Sequence, residues 1–300
     1  MAPTSAPGQP FGRVLTAMVT PFTKAGELDL DAAQQLAAHL VAHGNDGLVI
    51  NGTTGESPTT TNEEKERLLR AVVEAVGDRA HIVAGVGTND TRHTIELAEQ
   101  AEKAGAHALL LVTPYYNRPP QSGLIAHFTA AADATSLPAM LYDIPVRSGV
   151  PIETATLLKL AEHPRIVAVK DAKGDLQASS LVLAETDLAY YSGDDALTLP
   201  FLSIGAVGVV GVATHLSGDR MAELVDAFVS GDVARATKLH HGLQPAFVGF
   251  FRTQGVITTK AALEMAGLPG GGPVRSPLVD ATPEQREQLR QDLTAAGLLS

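Results

Sequence analysis

Lys170 closes the apolar run Ile166-Val167-Ala168-Val169. At a strand's period of two it shares a face with Ala168 and Ile166, which in a barrel is either the interior or the side turned to the helices. An ammonium withdrawn from water must find an acid or lose its proton. The second outcome makes a nucleophile for carbonyls, provided the pKa falls from about 10.4 toward roughly 7 to 8. The plainer alternative is a strand-end lysine whose amine snorkels to the rim. Asp171 and Asp175 follow, and Asp171 is expected on the opposite side of the strand. Two further groups would complete imine chemistry. Gly52-Thr53-Thr54-Gly55 could hold the carboxylate of an α-keto acid, because a glycine-flanked turn presents consecutive N–H groups as an anion nest and the threonines add hydroxyl donors. An ordinary strand-to-helix turn is the other reading. Tyr142 could move a proton on and off a carbinolamine, or be a core tyrosine with a wet tip.

Composition narrows the scaffold that must hold these groups. Three hundred residues, 45% hydrophobic and 18% charged, make a globular chain, either one large α/β barrel or two ordinary domains. There is no cysteine, hence no disulfide, thiol nucleophile or thiolate metal site. Twenty-two Lys and Arg against 33 Asp and Glu leave a net charge of −11, which argues against nucleic acid or an anionic membrane as partner. Residues 1–10, rich in Pro and Gly, have neither the basic start nor the apolar run of a signal peptide and read as a disordered tail. No apolar stretch approaches the roughly 20 residues of a membrane helix, so the expected location is the cytoplasm. His240 and His241 are adjacent, point about 100° apart on a helix and have no ligand at i+4, so a solvated helix is expected there and no metal or cofactor. The run Glu63-Glu64-Lys65-Glu66-Arg67 reads as a solvated helix face.

Eight short runs rich in Val, Ile, Leu and Ala read as strands: 14–19, 47–50, 81–84, 108–112, 139–142, 166–169, 188–191 and 208–212. They are apolar nearly throughout, as in a parallel sheet buried on both faces. Helical stretches alternate with them at 29–43, 62–76, 91–103, 121–134, 152–161 and 197–204, with start signals at Asp31, at Thr61 with Glu64, and at Pro151. The pattern predicts an α/β fold, a (β/α)8 TIM barrel over residues 11–231, with a C-terminal helical extension over residues 232–300 carrying helices near 232–244, 259–266 and 283–296. An open doubly wound sheet is disfavoured because no strand leads into G-x-G-x-x-G. In a barrel the chemistry belongs at the C-terminal ends of strands. Polar residues gather there: Asn51–Ser57 after the second strand, Thr113-Pro114-Tyr115-Tyr116-Asn117 after the fourth, Tyr142-Asp143-Ile144-Pro145-Val146-Arg147-Ser148-Gly149 after the fifth, Lys170 at the sixth, and Ser192-Gly193-Asp194-Asp195 at the seventh.

Together Gly52-Thr53-Thr54-Gly55-Glu56, Thr113-Pro114-Tyr115-Tyr116, the 142–149 segment and Val169-Lys170-Asp171 resemble the pyruvate-dependent class I aldolase (N-acetylneuraminate lyase) superfamily, in its dihydrodipicolinate synthase branch, over nearly the whole chain. The resemblance implies that Lys170 forms an imine with pyruvate, that Thr53 and Thr54 hold its carboxylate, and that Tyr142 and Thr54 relay protons. It further implies that Tyr116 completes the relay from a neighbouring subunit across a tight dimer interface of a homotetramer, and that Gly193 and Val210 line the pyruvate pocket through their backbone. Arg147 would clamp the carboxylate of L-aspartate 4-semialdehyde, the second substrate, in diaminopimelate and lysine biosynthesis. Sialic acid lyases and aldolases of 2-keto-3-deoxy sugar acids resemble the chain at the lysine and tyrosine, but typically lack that arginine and tend to carry serine first in the threonine pair. A barrel that binds an α-keto acid without catalysis is a third reading, disfavoured by an intact Lys170, Tyr142 and Thr54. Lysine-inhibited members carry histidines and a glutamate where this chain places Asn62, Lys65 and His93, so weak or absent feedback by lysine is expected.

Overall fold

A computed structural model describes residue 3 and residues 8–299; for residues 1–2 and 4–7 the expectation of a disordered tail lies outside the described residues. Among the described residues eight parallel strands close a barrel in sequence order: β1 (Val14–Ala17), β2 (Gly47–Ile50), β3 (His81–Gly85), β4 (Ala108–Val112), β5 (Ala139–Asp143), β6 (Ile166–Asp171), β7 (Ala189–Ser192) and β8 (Gly208–Gly211), with β8 returning to β1. The helices are α1 (Leu30–Ala42), α2 (Asn62–Val76), α3 (Thr91–Lys103), α4 (Gln121–Asp133), the single turn α5 (Pro145–Ser148), α6 (Thr154–Leu160), α7 (Leu176–Glu185), α8 (Thr198–Ser203) and α9 (Thr214–Val229), followed by α10 (Val233–Phe250), α11 (Gly255–Met265) and α12 (Pro283–Ala295). The fold is the TIM barrel with added C-terminal helices.

Strand residues divide between two faces, which is why each run is apolar throughout. Leu15, Val49, Val83, Leu110, Met140, Ala168, Tyr191 and Val210 fill the interior. Leu48, Ile82, Leu109, Leu141, Val169 and Tyr190 meet the helices outside. The helix starts are chemical. Thr61 and Glu64 form the expected reciprocal capping box on α2, and Asp29, two residues before Asp31, caps α1 through the Ala32 N–H. Pro151 does not open the fifth helical stretch; α6 begins three residues later. Pro245 lies inside α10. The expected end at Gln244 is therefore wrong, because Leu243, Ala246, Phe247 and Phe250 stay buried on one side of the helix and hold it together past the proline.

The expected face-sharing of Ile166, Ala168 and Lys170 also needs correction. Register slips between Ala139 and Met140, so that Ile166 pairs with the first and Ala168 with the second. Val167 is the extra residue of a bulge. Ile166 consequently faces the helices while Ala168 and everything after it resumes alternation from the interior. Nor is the 63–67 run wholly solvated. Lys65 is buried, and its ammonium donates to the carbonyls of Ser57 and Thr60 and to the Thr60 hydroxyl at 2.8, 2.5 and 2.8 Å. Glu64 pairs with Arg275 at 2.6 Å. Three carbonyl and hydroxyl acceptors fixed by a tight turn repay the desolvation of the lysine.

Beyond the barrel, α10 and α12 share a core with β1, β8 and α9 through Val14, Val209, Leu224, Phe247, Phe250 and Leu293. The same cover extends over the barrel mouth, where α11 begins.

Candidate active site

Because the bulge restores alternation from Ala168, Lys170 points inward at the C-terminal rim of β6. Its register partner on β5 is Tyr142, which also points inward. The amine lies 4.3 Å from the centre of the tyrosine ring, and only 5% of Lys170 is exposed. Among the described residues the amine makes no ion pair or hydrogen bond. Burial brings its pKa down to about 8, with the Asp195 charge opposing and the Arg147 charge reinforcing the fall. Burial likewise pushes the Tyr142 phenol up to about 12, and Arg147 holds it back.

Thr53, Thr54, Tyr142, Arg147, Lys170 and Gly193 line one cavity of about 70 Å³ at the barrel mouth. It adjoins a second space of about 200 Å³ that shares Thr53, Tyr142 and Arg147 and is lined also by Tyr115. The turn after β2 is folded by Gly55 and Glu56 N–H groups donating to the carbonyls of Gly52 and Thr53, both at 3.1 Å. Among the described residues the N–H groups of Thr53 and Thr54 donate to no protein group, which leaves two adjacent donors and two hydroxyls for an anion. Arg147 sits on α5, the one-turn helix that Pro145 opens directly after β5. Gly193 is anchored through its N–H to the Asp171 carbonyl at 2.7 Å.

Two of the expected residues stand apart. Val210 is buried in the interior below the cavity, and Val212 is the β8-end residue that lines it. Tyr116 is 90% exposed with a left-handed backbone at φ 74°, so this chain's own cavity does not receive it. No hydrogen bond joins Thr54 to Tyr142 among the described residues, although both line the same space. Asp171 does point to the opposite side, where its carboxylate accepts from the N–H groups of Lys173 and Gly174 and from the Ser179 hydroxyl. Asp143 joins it there, 3.1 Å from the Lys173 ammonium.

Asp195 was not singled out from sequence. Its carboxylate is buried and accepts from the N–H groups of Val212 and Ala213 at 3.0 and 3.2 Å. Burial pushes its pKa up to about 6 while those two amides pull it down. A Cβ at position 211 would come within 2.2 Å of a carboxylate oxygen, so Gly211 makes room for this acid behind the amine. The pairing of a glycine on β8 with an acid after β7 is a tertiary fact, and the only sequence signal was a carboxylate close after a strand end. The extension contributes too: Phe251, Gln254, Gly255 and Val256 close the cavity on one side.

The arrangement can form an imine with a small keto acid: a depressed amine, a phenol beside it, and a turn of free donors for a carboxylate. Comparisons with known proteins agree. The model of the dihydrodipicolinate synthetase family matches residues 10–296. The 4-hydroxy-tetrahydrodipicolinate synthase of Acidothermus cellulolyticus is 70% identical over 98% of this chain and 95% of its own length. Synthase 2 of Streptomyces coelicolor is 66% identical over 99% of both. Among solved structures, the dihydrodipicolinate synthase of Cyanidioschyzon merolae with lysine bound superposes with a TM-score of 0.94 at 46% identity, covering 97% of this chain and 99% of that one. With the amine, the phenol and the threonine turn gathered at the rim of the same barrel, the chain belongs to the dihydrodipicolinate synthetase family.

Proposed function

We infer that the protein is a lyase that joins pyruvate to L-aspartate 4-semialdehyde through a Schiff base on Lys170, giving 4-hydroxy-tetrahydrodipicolinate for diaminopimelate and lysine biosynthesis. The observation that carries the reading is the Lys170 amine, buried at the strand end with its pKa near 8 beside Tyr142.

The steps follow from the groups present. The neutral amine attacks the ketone carbon of pyruvate, whose carboxylate rests on the N–H groups and hydroxyls of Thr53 and Thr54. The former carbonyl oxygen takes up protons through Tyr142 and Thr54 and leaves as water. The iminium then loses a methyl proton and becomes an enamine. Its carbon adds to the aldehyde carbon of the second substrate, the aldehyde oxygen takes a proton, and Arg147 holds that substrate's carboxylate. The substrate's own amine finally attacks the imine carbon, closing the ring and releasing Lys170. Gly193 supports the pyruvate through its backbone on this reading, whereas Val210, which does not line the cavity, has no such part in it. Arg147 on α5 favours aspartate semialdehyde over a sugar acid.

Residues 11–231 serve as the catalytic barrel and residues 232–300 as the extension covering part of its mouth. Tyr116 is taken to cross a tight interface within a homotetramer, a dimer of dimers; its exposure in the single chain supports that role. No described helix is long and apolar enough to cross a membrane, and a cytoplasmic location fits a biosynthetic enzyme. Borohydride added with pyruvate should trap one adduct on Lys170, located by mass spectrometry; an adduct elsewhere, or none, overturns the reading. Turnover of a keto sugar acid in place of aspartate semialdehyde would instead make the protein a lyase of the same imine-forming kind.

A further inference from the structure

Glu56 directly follows the 52–55 turn, and its backbone lies in the left-handed region at φ 54°, where a residue with a Cβ stays only if its surroundings hold it. What holds it comes from α11 and the loop that follows it. Its buried carboxylate receives the Lys260 ammonium of α11 at 2.6 Å and the backbone N–H of Arg275 at 2.8 Å. The same ammonium donates to the Pro273 carbonyl at 2.8 Å and lies 4.3 Å from the centre of the Phe22 ring. Arg275 in turn grips both carboxylate oxygens of Glu64 at 2.6 and 2.8 Å and donates to the Thr59 carbonyl at 2.9 Å. On the turn's other side, the Thr20 hydroxyl donates to the Gly55 carbonyl at 2.6 Å. Asn51, also left-handed at φ 63°, donates from its amide to the Lys65 carbonyl at 3.1 Å. The turn is thus pinned at both ends by strained residues, and one pin belongs to the helix whose first residues line the substrate cavity.

We propose that Lys260 and Glu56 are positioning residues for the reaction: their ion pair registers the Thr53–Thr54 turn against α11, so that the turn's free N–H groups and the α11 wall meet the substrate carboxylate at one fixed spacing. The proposal rests on the pyruvate-imine reading given above. A carboxylate whose two oxygens answer two different donors permits one orientation of Glu56, a directional constraint that apolar packing does not supply. The turn contacts the keto acid's carboxylate equally before and after imine formation. Loosening it removes binding common to ground and transition states, which raises KM, and shifts Thr54 of the proton relay, which lowers kcat as well.

The test compares wild type, Lys260→Met and Lys260→Arg. Lys260→Met should raise the pyruvate KM about tenfold or more and lower kcat with it, and Lys260→Arg should recover most of both. Borohydride trapping at saturating pyruvate counts the folded, imine-competent sites in each. If wild type itself does not trap at Lys170, the imine reading falls. If wild type traps and folded Lys260→Met keeps the wild-type KM, only the positioning role falls. Should Lys260→Met fail to fold, the double variant Glu56→Leu/Lys260→Met decides, since apolar groups of similar volume replace the pair. A folded double variant with a raised KM upholds the proposal. One with a wild-type KM, or one that also fails to fold, overturns it and leaves the pair a purely structural element.

Discussion

Lys170 is a nucleophile only while uncharged, and its surroundings set how often that is. Burial penalises the ammonium, Asp195 supports it and Arg147 opposes it. With a pKa of about 8, the reactive amine is scarce in acid and saturates above that value. The rate of imine trapping with pyruvate should therefore rise about tenfold per pH unit on the acid side and level off near pH 8. Asp195→Asn removes the supporting charge, so the acid limb should move to lower pH; Arg147→Ala removes the opposing charge, so it should move to higher pH. Identical profiles for both variants and wild type would show that these two charges do not govern the amine. Arg147→Ala should also cost about 1.5–3 kcal/mol of a charged hydrogen bond, seen as a loss of roughly 10- to 150-fold in kcat/KM for aspartate semialdehyde while pyruvate trapping persists. Lys170, Tyr142 and the threonine pair were legible in the sequence because each is a chemistry-bearing type at the end of an apolar run. Asp195 was not, because its importance arises from Gly211 on the next strand and from amides seventeen and eighteen residues away.

Elements decide which way these residues point. The bulge in β6 sets the inward aim of Lys170, and an all-apolar run such as Ile166–Val169 cannot disclose it, since either face accepts valine or isoleucine. A similar limit hid the burial of Lys65 on α2. Its charges look solvated by composition, yet Lys65 is sunk among the carbonyls of the turn ahead of the helix and carries a pKa lowered to about 8 by burial. A positively charged effector approaching this helix would face a cation whose donors are already engaged, and His93 beside it bonds Asn62 at 3.2 Å and offers no acid. L-Lysine at millimolar concentration should leave the condensation rate within about twofold of the uninhibited value; steady-state inhibition at sub-millimolar lysine would show that the helix face accepts a cation after all. Capping signals, by contrast, were read correctly where they are purely local, as at Thr61 and Glu64.

At the scale of the molecule, the repeat of strand and helix was legible because a closed parallel barrel demands eight runs apolar on both faces. How the final helices attach was not, since amphipathic periodicity tells that a helix buries a face but not against what. They share a core with β1, β8 and α9 and reach into the mouth. Tyr116 carries the remaining consequence. Its phenol is splayed into solvent on a left-handed residue, which on the proposed assembly places it at the service of a second copy of the chain. On the proposed assembly, two crippled proteins can then repair each other: Lys170→Ala and Tyr116→Phe, each nearly dead alone, should regain turnover once unfolded together and refolded as hybrids, because one donates an intact phenol to the other's intact amine. Hybrids no more active than their parents would mean that every polypeptide works alone.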